Sequence, residues 1–275
     1  MSLTEDIRKT VTQKGGKIQT SEQARFEGLL NQAFFLEKDI EGEIAFLRMV
    51  MTRGAETQER VGLHASNMLK GDKDFCMRFQ VLSLLYHQTQ GEEVSPGLKR
   101  IFEEGNAIHE KWQRLFIRAG WSDPMELDYT QYNEKYMMSF TPDIICRIPE
   151  FWDGEDAIGE IKSVNTFQFK KMARHPSAWK QCQWYMHLTG IRHGFVLNED
   201  KNTQDFKVEL YEYDPAAVEP WADRADAIME YYHRAVDDRR MVKRPEWAKG
   251  PSCKRCEGCA LRDACWKLNG GGRRL

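Results

Sequence analysis

Three things are scarce in this chain of 275 residues. It has no surplus of charge of either sign: 40 Lys+Arg against 42 Asp+Glu leave a formal net charge of -2. Nothing global therefore marks it for nucleic acid or an anionic membrane, and any such partner has to be met by a local patch. It has no long apolar run either. No stretch free of Asp, Glu, Lys and Arg reaches the roughly 18 residues of a membrane-spanning helix, and Glu5 and Asp6 interrupt the start, where a signal peptide is apolar. That pattern is expected of a soluble, cytoplasmic protein. Finally, it has no G-x4-G-K-[ST] loop, so any P-loop motor has to be a separate partner, and it shows no internal repeat. With 41% hydrophobic and 30% charged residues the composition is that of a folding chain, long enough for one large domain or two small ones.

Cysteine is present, but not in a number that suits disulfides. The count is seven, and Cys253, Cys256, Cys259 and Cys265 crowd into 13 residues, which fits a metal site in a reducing compartment. Cys146 and Cys182 lie in apolar sequence and are expected to be buried thiols. Cys76 is left over.

Periodicity divides the chain. Thr20 and Gln23 can form a capping box, after which Phe26, Leu29, Leu30, Ala33 and Phe34, then Ile40, Ile44, Leu47 and Val50, mark one long amphipathic helix or two in tandem, ended by Gly54. Ser95-Pro96 opens a second helix running through Ile101, Phe102, Ile108, Trp112 and Phe116 to Gly120. The period then changes. Met137 to Ile148 and Ala157 to Val164 are strand-like and flank Trp152-Asp153-Gly154, a hairpin turn signal. A helical stretch over Ser177 to Leu188, strand-like runs over His193 to Leu197 and Phe206 to Tyr213, and a helix opened by Pro215 complete an α/β or α+β core.

The hairpin carries the chemistry. Glu160-Ile161-Lys162 lies 17 positions after Pro142-Asp143. Side chains alternate along a strand, so Glu160 and Lys162 share a face, and a loop of about seven residues puts Asp143 opposite Glu160 within a residue or so. Two carboxylates beside an ammonium, with the Ile161 carbonyl close by, suit Mg²⁺ or Mn²⁺. Taken alone, the pattern is more often an ion-pair cluster on a sheet surface, where such pairs are common. Gln181 and Tyr185, four apart, share one helix face, and His109 follows Gly105 by four residues, where Gly would let another backbone come close.

In this order, Gly105-x3-His109, Pro142-Asp143, Glu160-x-Lys162 and Gln181-x3-Tyr185 resemble the PD-(D/E)xK nucleases of the RecB type. The best likeness is to their iron-sulfur branch, which includes CRISPR-adaptation exonucleases, the AddB nuclease domain and phage exonucleases. The resemblance spans about residues 62 to 268. It implies an α/β fold with a restriction-endonuclease-like core, a central mixed sheet flanked by helices. Around this, residues 1–60 would form an N-terminal helical extension, 61–245 the nuclease core and 246–275 a C-terminal cysteine segment. It further implies His109, Asp143, Glu160 and the Ile161 carbonyl as metal ligands, Lys162 as the catalytic lysine, and Gln181 and Tyr185 as supports for the site and the DNA backbone. The expected activity is metal-dependent exonucleolytic hydrolysis of DNA in recombination, repair or CRISPR-type processing, beside a helicase, recombination or CRISPR partner protein. The rivals are a structure-selective endonuclease with the same site, a DNA-binding or assembly module with a vestigial site, and a zinc-knuckle nucleic-acid binder.

Cys256-x2-Cys259-x5-Cys265, with Cys76 far upstream, has the spacing of that branch's four-iron, four-sulfur (4Fe-4S) cluster, although Met77 stands where the family has Pro. Four thiolates alone do not separate iron-sulfur from Zn²⁺, and Cys253 is an alternate fourth ligand that would make a local knuckle. Charge placement adds a DNA expectation. From Ile161 to Asn198 there is no acid, while Lys162, Lys170, Lys171, Arg174, Lys180 and Arg192 supply six cations, interleaved with Phe167, Phe169, Trp179 and Trp184. Such a mix tracks phosphates and stacks unpaired bases. Lys170, Lys171, Arg174 and Lys180 are the DNA-binding candidates. Residues 243–275 add nine Lys/Arg against three acids.

Overall fold

The computed structural model describes residues 21–37, 39–55, 62–86, 95–127 and 129–268. Thr20 and the polar opening stretch lie outside them. The N-terminal apolar stripe is two helices, α1 (Ser21–Ala33) and α2 (Ile40–Ala55), interrupted at residues 34–39. Strand β1 (Leu63–His64), α3 (Ala65–Met68), α4 (Met77–Tyr86) and the long α5 (Pro96–Arg118) precede the sheet region. There β2 (Gln131–Asn133), β3 (Met138–Phe140), β4 (Ile144–Arg147) and β5 (Asp156–Val164) follow one another. Then come α6 (Thr166–Lys171), α7 (Ala178–Thr189), β6 (His193–Asp200), β7 (Phe206–Glu212), α8 (Pro215–Asp237), α9 (Lys254–Glu257) and α10 (Arg262–Lys267).

The run over Met137–Ile148, read as one strand, is broken at Thr141–Asp143 and serves two sheets. β3 sits centrally in a small sheet of order β1-β3-β2, whereas β4 is the edge of the main sheet, β4-β5-β6-β7. In the latter β4 runs antiparallel to β5, β5 parallel to β6 and β6 antiparallel to β7, so the sheet is mixed. A parallel pair needs a crossover, and α6 and α7 supply it. Helices flank the sheet on both sides, giving the α/β architecture expected.

Alternation along the strands sorts the core into two layers. Ile158 and Val196 bury toward α7 and α8, against Cys182, Trp184, Val218 and Ile228. Ile161, Phe195 and Leu197 bury toward the other face, against Trp112 and Phe116 of α5, Phe46 of α2 and Phe26 and Leu30 of α1. The Phe26 ring lies 4.9 Å from Phe151 and 5.3 Å from Phe195, and Glu27 Oε1 accepts the Val208 N–H at 2.8 Å. Burying one such aromatic is worth about 2 to 3 kcal/mol. The N-terminal helices are thus packed into the sheet's own core. Gly159 leaves room between its two neighbouring strands: a Cβ there would stand 2.4 Å from the Phe195 ring on β6 and 2.9 Å from Ile144 on β4. Cys146 and Cys182 are both buried. Among the described residues no helix is long and apolar enough to cross a membrane.

Candidate active site

β4 pairs with β5 only over Asp156–Gly159, the last pair being Ile144 with Gly159. Beyond it β5 runs on without β4, and the chain turns away at Asp143. The Ile161 N–H exposed by that divergence donates to Asp143 Oδ2 at 2.7 Å, so the carboxylate takes the place of a missing strand carbonyl. Its other oxygen, Oδ1, lies 3.3 Å from His109 Nδ1, delivered by α5 from the opposite face of the sheet. Gln113, one turn further along α5, donates to the Asp143 carbonyl at 2.8 Å and locks the approach. Glu160 and Lys162 come from the α7 face of β5, and the Lys162 ammonium donates to Glu160 Oε1. His109, Asp143, Glu160 and Lys162 therefore converge around the free edge of β5.

Gly105 plays a smaller part than its spacing to His109 indicates. A Cβ there would meet only Ser163 Oγ, at an ordinary 3.7 Å, so no backbone approach requires the glycine. On α7, Tyr185 is buried with its ring 5.6 Å from Phe140. Gln181 is half-buried on the same helix, and its side-chain amide makes no hydrogen bond to the carboxylates.

The electrostatics follow from burial. Glu160 is 2% exposed, and burial together with the Asp143 charge pushes its carboxyl up to about 7, against the pull of Lys162. For Asp143 burial works upward, but His109, Lys162 and the Ile161 N–H outweigh it and hold the group below the usual carboxylate range. His109 loses by burial and gains more from Asp143, so its imidazole is raised. Burial likewise opposes the Lys162 charge, but Glu160 and Asp143 outweigh it and raise the ammonium.

One atom is left over: Glu160 Oε2 is buried and has no hydrogen-bond partner. A buried carboxylate oxygen with nothing to accept costs on the order of 1 to 3 kcal/mol. Among the described residues, no three His, Cys, Asp or Glu side chains are placed to hold a metal ion, since His109 turns to Asp143 and Glu160 to Lys162. The donors themselves fit a divalent cation: two hard carboxylates, one with an orphaned oxygen, and an imidazole.

These shifts carry a stability prediction. An unfolded chain releases the Glu160 proton near the ordinary 4.5, whereas the folded one keeps it to about 7. Between those values the folded state binds more protons, so the metal-free protein should lose thermal stability as pH rises from about 5 to about 7. His109, also raised, works in the same direction, while lowered Asp143 matters only below its ordinary 3.8. Thermal melts across this range check it: Glu160→Gln should flatten the slope, and an unchanged slope in that variant would assign the effect elsewhere.

Beside the site lies the basic segment. Lys170 and Lys171 are exposed on α6, with Lys171 Nζ 4.4 Å over the ring of Phe167, itself 67% exposed. Arg174 is more tied down, packed 5.2 Å from the Trp179 ring and 5.6 Å from Tyr211, with Nε 3.9 Å from Glu209 Oε2. Lys180 Nζ is 5.8 Å from the Trp179 ring. Sequence reasoning missed one acid, Glu209, and two polar groups, His175 and Asn198, here. Glu209 accepts from the His175 N–H at 3.3 Å and from Asn198 Nδ2 at 3.1 Å, which brings a carboxylate from β7 into a window that has none of its own. His175 caps α7, its Nδ1 accepting from the Ala178 N–H at 3.1 Å, and burial and Lys162 together lower its pKa.

Four of the seven cysteines gather around a cavity that none of these site residues lines. Cys76, Cys256, Cys259 and Cys265 line one cavity of about 230 Å³, and Cys253 does not. Burial and the adjacent Cys253 thiol push Cys256 up to about 12, and burial also raises Cys76 and Cys259. Arg78, fully buried on α4, donates from Nε to Cys265 Sγ at 3.2 Å. Soft sulfur donors around one cavity are the right chemistry for iron-sulfur or zinc, although no three are placed at ligating geometry.

No family model matches the chain, and no curated protein does. Among solved structures it is similar to LHK-Exo in complex with dAMP, at 18% identity and a TM-score of 0.46, covering 64% of this chain and 94% of that one. An alkaline exonuclease (LHK-Exo) from Laribacter hongkongensis follows at 15% identity and TM-score 0.45, covering 64% and 90% respectively. SSO0001 follows at 13% identity and 0.41, covering 74% and 88%.

Proposed function

We propose that the chain is a metal-dependent deoxyribonuclease that hydrolyses phosphodiester bonds, acting as an exonuclease. The observation that carries this is the convergence of His109, Asp143, Glu160 and Lys162 on the free edge of β5, with Glu160 Oε2 left unpartnered. A surface ion-pair cluster would be solvated; this one holds a carboxylate at 2% exposure with one oxygen unsatisfied. Asp143, Glu160, His109 and the Ile161 carbonyl would hold Mg²⁺ or Mn²⁺, which supplies polarisation of a phosphate and a lowered pKa for water. Lys162, released from Glu160, offsets charge building on the phosphoryl oxygens or orients the attacking water. Gln181 and Tyr185 steady α7 against the site and the DNA backbone. Residues 61–245 carry the strands and site residues of the proposed nuclease core, against which α1 and α2 pack. Digestion of end-labelled single- and double-stranded DNA with Mg²⁺ or Mn²⁺ tests the activity and its end dependence together; a circular single strand left intact favours the exonuclease.

DNA reaches the site over α6 and the start of α7. Lys170→Ala with Lys171→Ala should weaken binding of all sequences alike and shrink the slope of log affinity against log salt by roughly 1 to 2, as expected for two phosphate contacts. Titration of labelled DNA at several salt concentrations measures it, and a slope equal to wild type would remove these lysines from the interface.

For the cysteine cavity, Cys76, Cys256, Cys259 and Cys265 are the proposed ligands of a structural, non-catalytic centre that ties α4 to residues 246–275. The family resemblance makes this a 4Fe-4S cluster; thiolate chemistry alone admits Zn²⁺. The lining of the cavity favours Cys76 over Cys253 as the fourth ligand.

A further inference from the structure

A second buried polar atom without a partner lies one strand from Glu160. Asn198 on β6 is 2% exposed, and its Oδ1 accepts nothing. In the parallel pairing of β5 with β6 its register partner is Lys162, so the two side chains stand side by side on the α7 face. The orientation of the amide is determined. Glu209 on β7 only accepts hydrogen bonds, so Asn198 must present its Nδ2, which donates to Glu209 Oε1 at 3.1 Å. Glu209 is itself anchored, its Oε2 accepting from the Tyr211 hydroxyl at 2.6 Å and its Oε1 from the His175 N–H at 3.3 Å. Oxygen and nitrogen diverge from the planar amide carbon in different directions. With Nδ2 turned to β7, Oδ1 is directed away from β7, and the strand on the other side of β6 is β5, with Lys162 in register.

We propose that Asn198 is a positioning residue for Lys162: its Oδ1 takes the ammonium when Glu160 is engaged elsewhere, and the Tyr211–Glu209 pair holds the amide ready. Lys162 thereby exchanges one buried acceptor for another. It is not released into solvent, where a long flexible side chain loses its aim. The orphaned oxygen of Asn198 is the empty half of that exchange. The kinetic consequence, though not the geometry, rests on the nuclease reading.

Two arms test this. Crystal structures of Glu160→Ala, and of wild type soaked with Mn²⁺, should place Lys162 Nζ within about 3.2 Å of Asn198 Oδ1. Lys162 turned to solvent with Oδ1 bonded to water overturns the proposal. In the kinetic arm, Asn198→Leu should lower kcat roughly 10- to 100-fold, the usual scale for a group that orients a reacting one, with KM, DNA affinity and melting temperature unchanged. The pair Asn198→Asp with Glu209→Gln reverses donor and acceptor between the strands, gives up only the 3.3 Å His175 N–H contact, keeps an oxygen toward Lys162 and should recover most of kcat. An unaltered kcat in Asn198→Leu, or kcat and DNA affinity falling together, rejects the assignment. Wild type that cuts no DNA would sink the nuclease reading instead, and the crystallographic arm still decides the role of Asn198.

Discussion

Glu160→Gln is expected to abolish Mg²⁺- or Mn²⁺-dependent cleavage, with a loss of at least ~1,000-fold in rate, while the protein stays folded. Its size follows from what the carboxylate is placed to do. Glu160 Oε2 is the one carboxylate oxygen of the cluster with no partner, and a neutral amide there offers neither the charge nor the hard oxygen pair that a divalent cation requires. The fold should survive for the reason that makes the residue costly: the carboxyl is held up to about 7 by burial, so an isosteric uncharged group removes a desolvation penalty. Lys162→Met should also cost roughly 100- to 1,000-fold, by loss of a charge aimed at the developing phosphoryl charge. End-labelled DNA, circular dichroism and thermal melts on each variant separate chemistry from folding. Cleavage within about tenfold of wild type in Glu160→Gln would remove Glu160 from the ligand set.

The sequence showed most clearly those parts of this site that local pattern specifies. α5 and α8 are long amphipathic helices with Pro near their starts, and periodicity found them within a few residues. The hairpin could be counted across, which brought Asp143 opposite Glu160. α4 was invisible because it is buried nearly all round: Arg78, Gln80, Val81, Leu82, Ser83 and Leu84 are all inside, leaving no polar face to set a period. α6 has six residues, too few to show one. The break at Thr141–Asp143, which frees the edge of β5, has a local mark in Pro142, which cannot donate to a strand ladder, but the change of sheet that follows it is a tertiary event. Asn198 and Glu209 were beyond reach for a related cause. Their meaning depends on the register of β5 with β6 and of β6 with β7, and no local spacing encodes which residues of distant strands stand side by side.

Arg78→Met is expected to destabilise the protein by about 3 to 5 kcal/mol, on the order of a 10 °C fall in melting temperature, although it touches nothing near the proposed catalytic residues. Arg78 is 0% exposed and donates to the carbonyls of Val242, of Cys265 at 3.3 Å and of Leu268 at 2.8 Å, besides Cys265 Sγ. Arg244 joins it on Cys265 and Leu268, at 2.7 and 3.0 Å. Two guanidiniums thus satisfy carbonyls at the C-terminal end of α10, which the helix cannot satisfy itself. Among the described residues no carboxylate pairs with Arg78, so its charge is buried against neutral oxygens and one sulfur. A guanidinium in that position calls for negative charge, and in the proposed centre the thiolates of Cys76, Cys256, Cys259 and Cys265, which line the adjoining cavity, would supply it. Met fills the volume without the charge or the donors, so the C-terminal segment should loosen and the proposed cysteine centre should lose its metal. Metal analysis and visible absorption near ~400 nm on anaerobically purified protein read the second effect, and thermal melts the first. Wild type holding neither iron nor zinc, with Arg78→Met equally destabilised, would leave the guanidinium as a helix cap alone and strike the metal centre from the cavity.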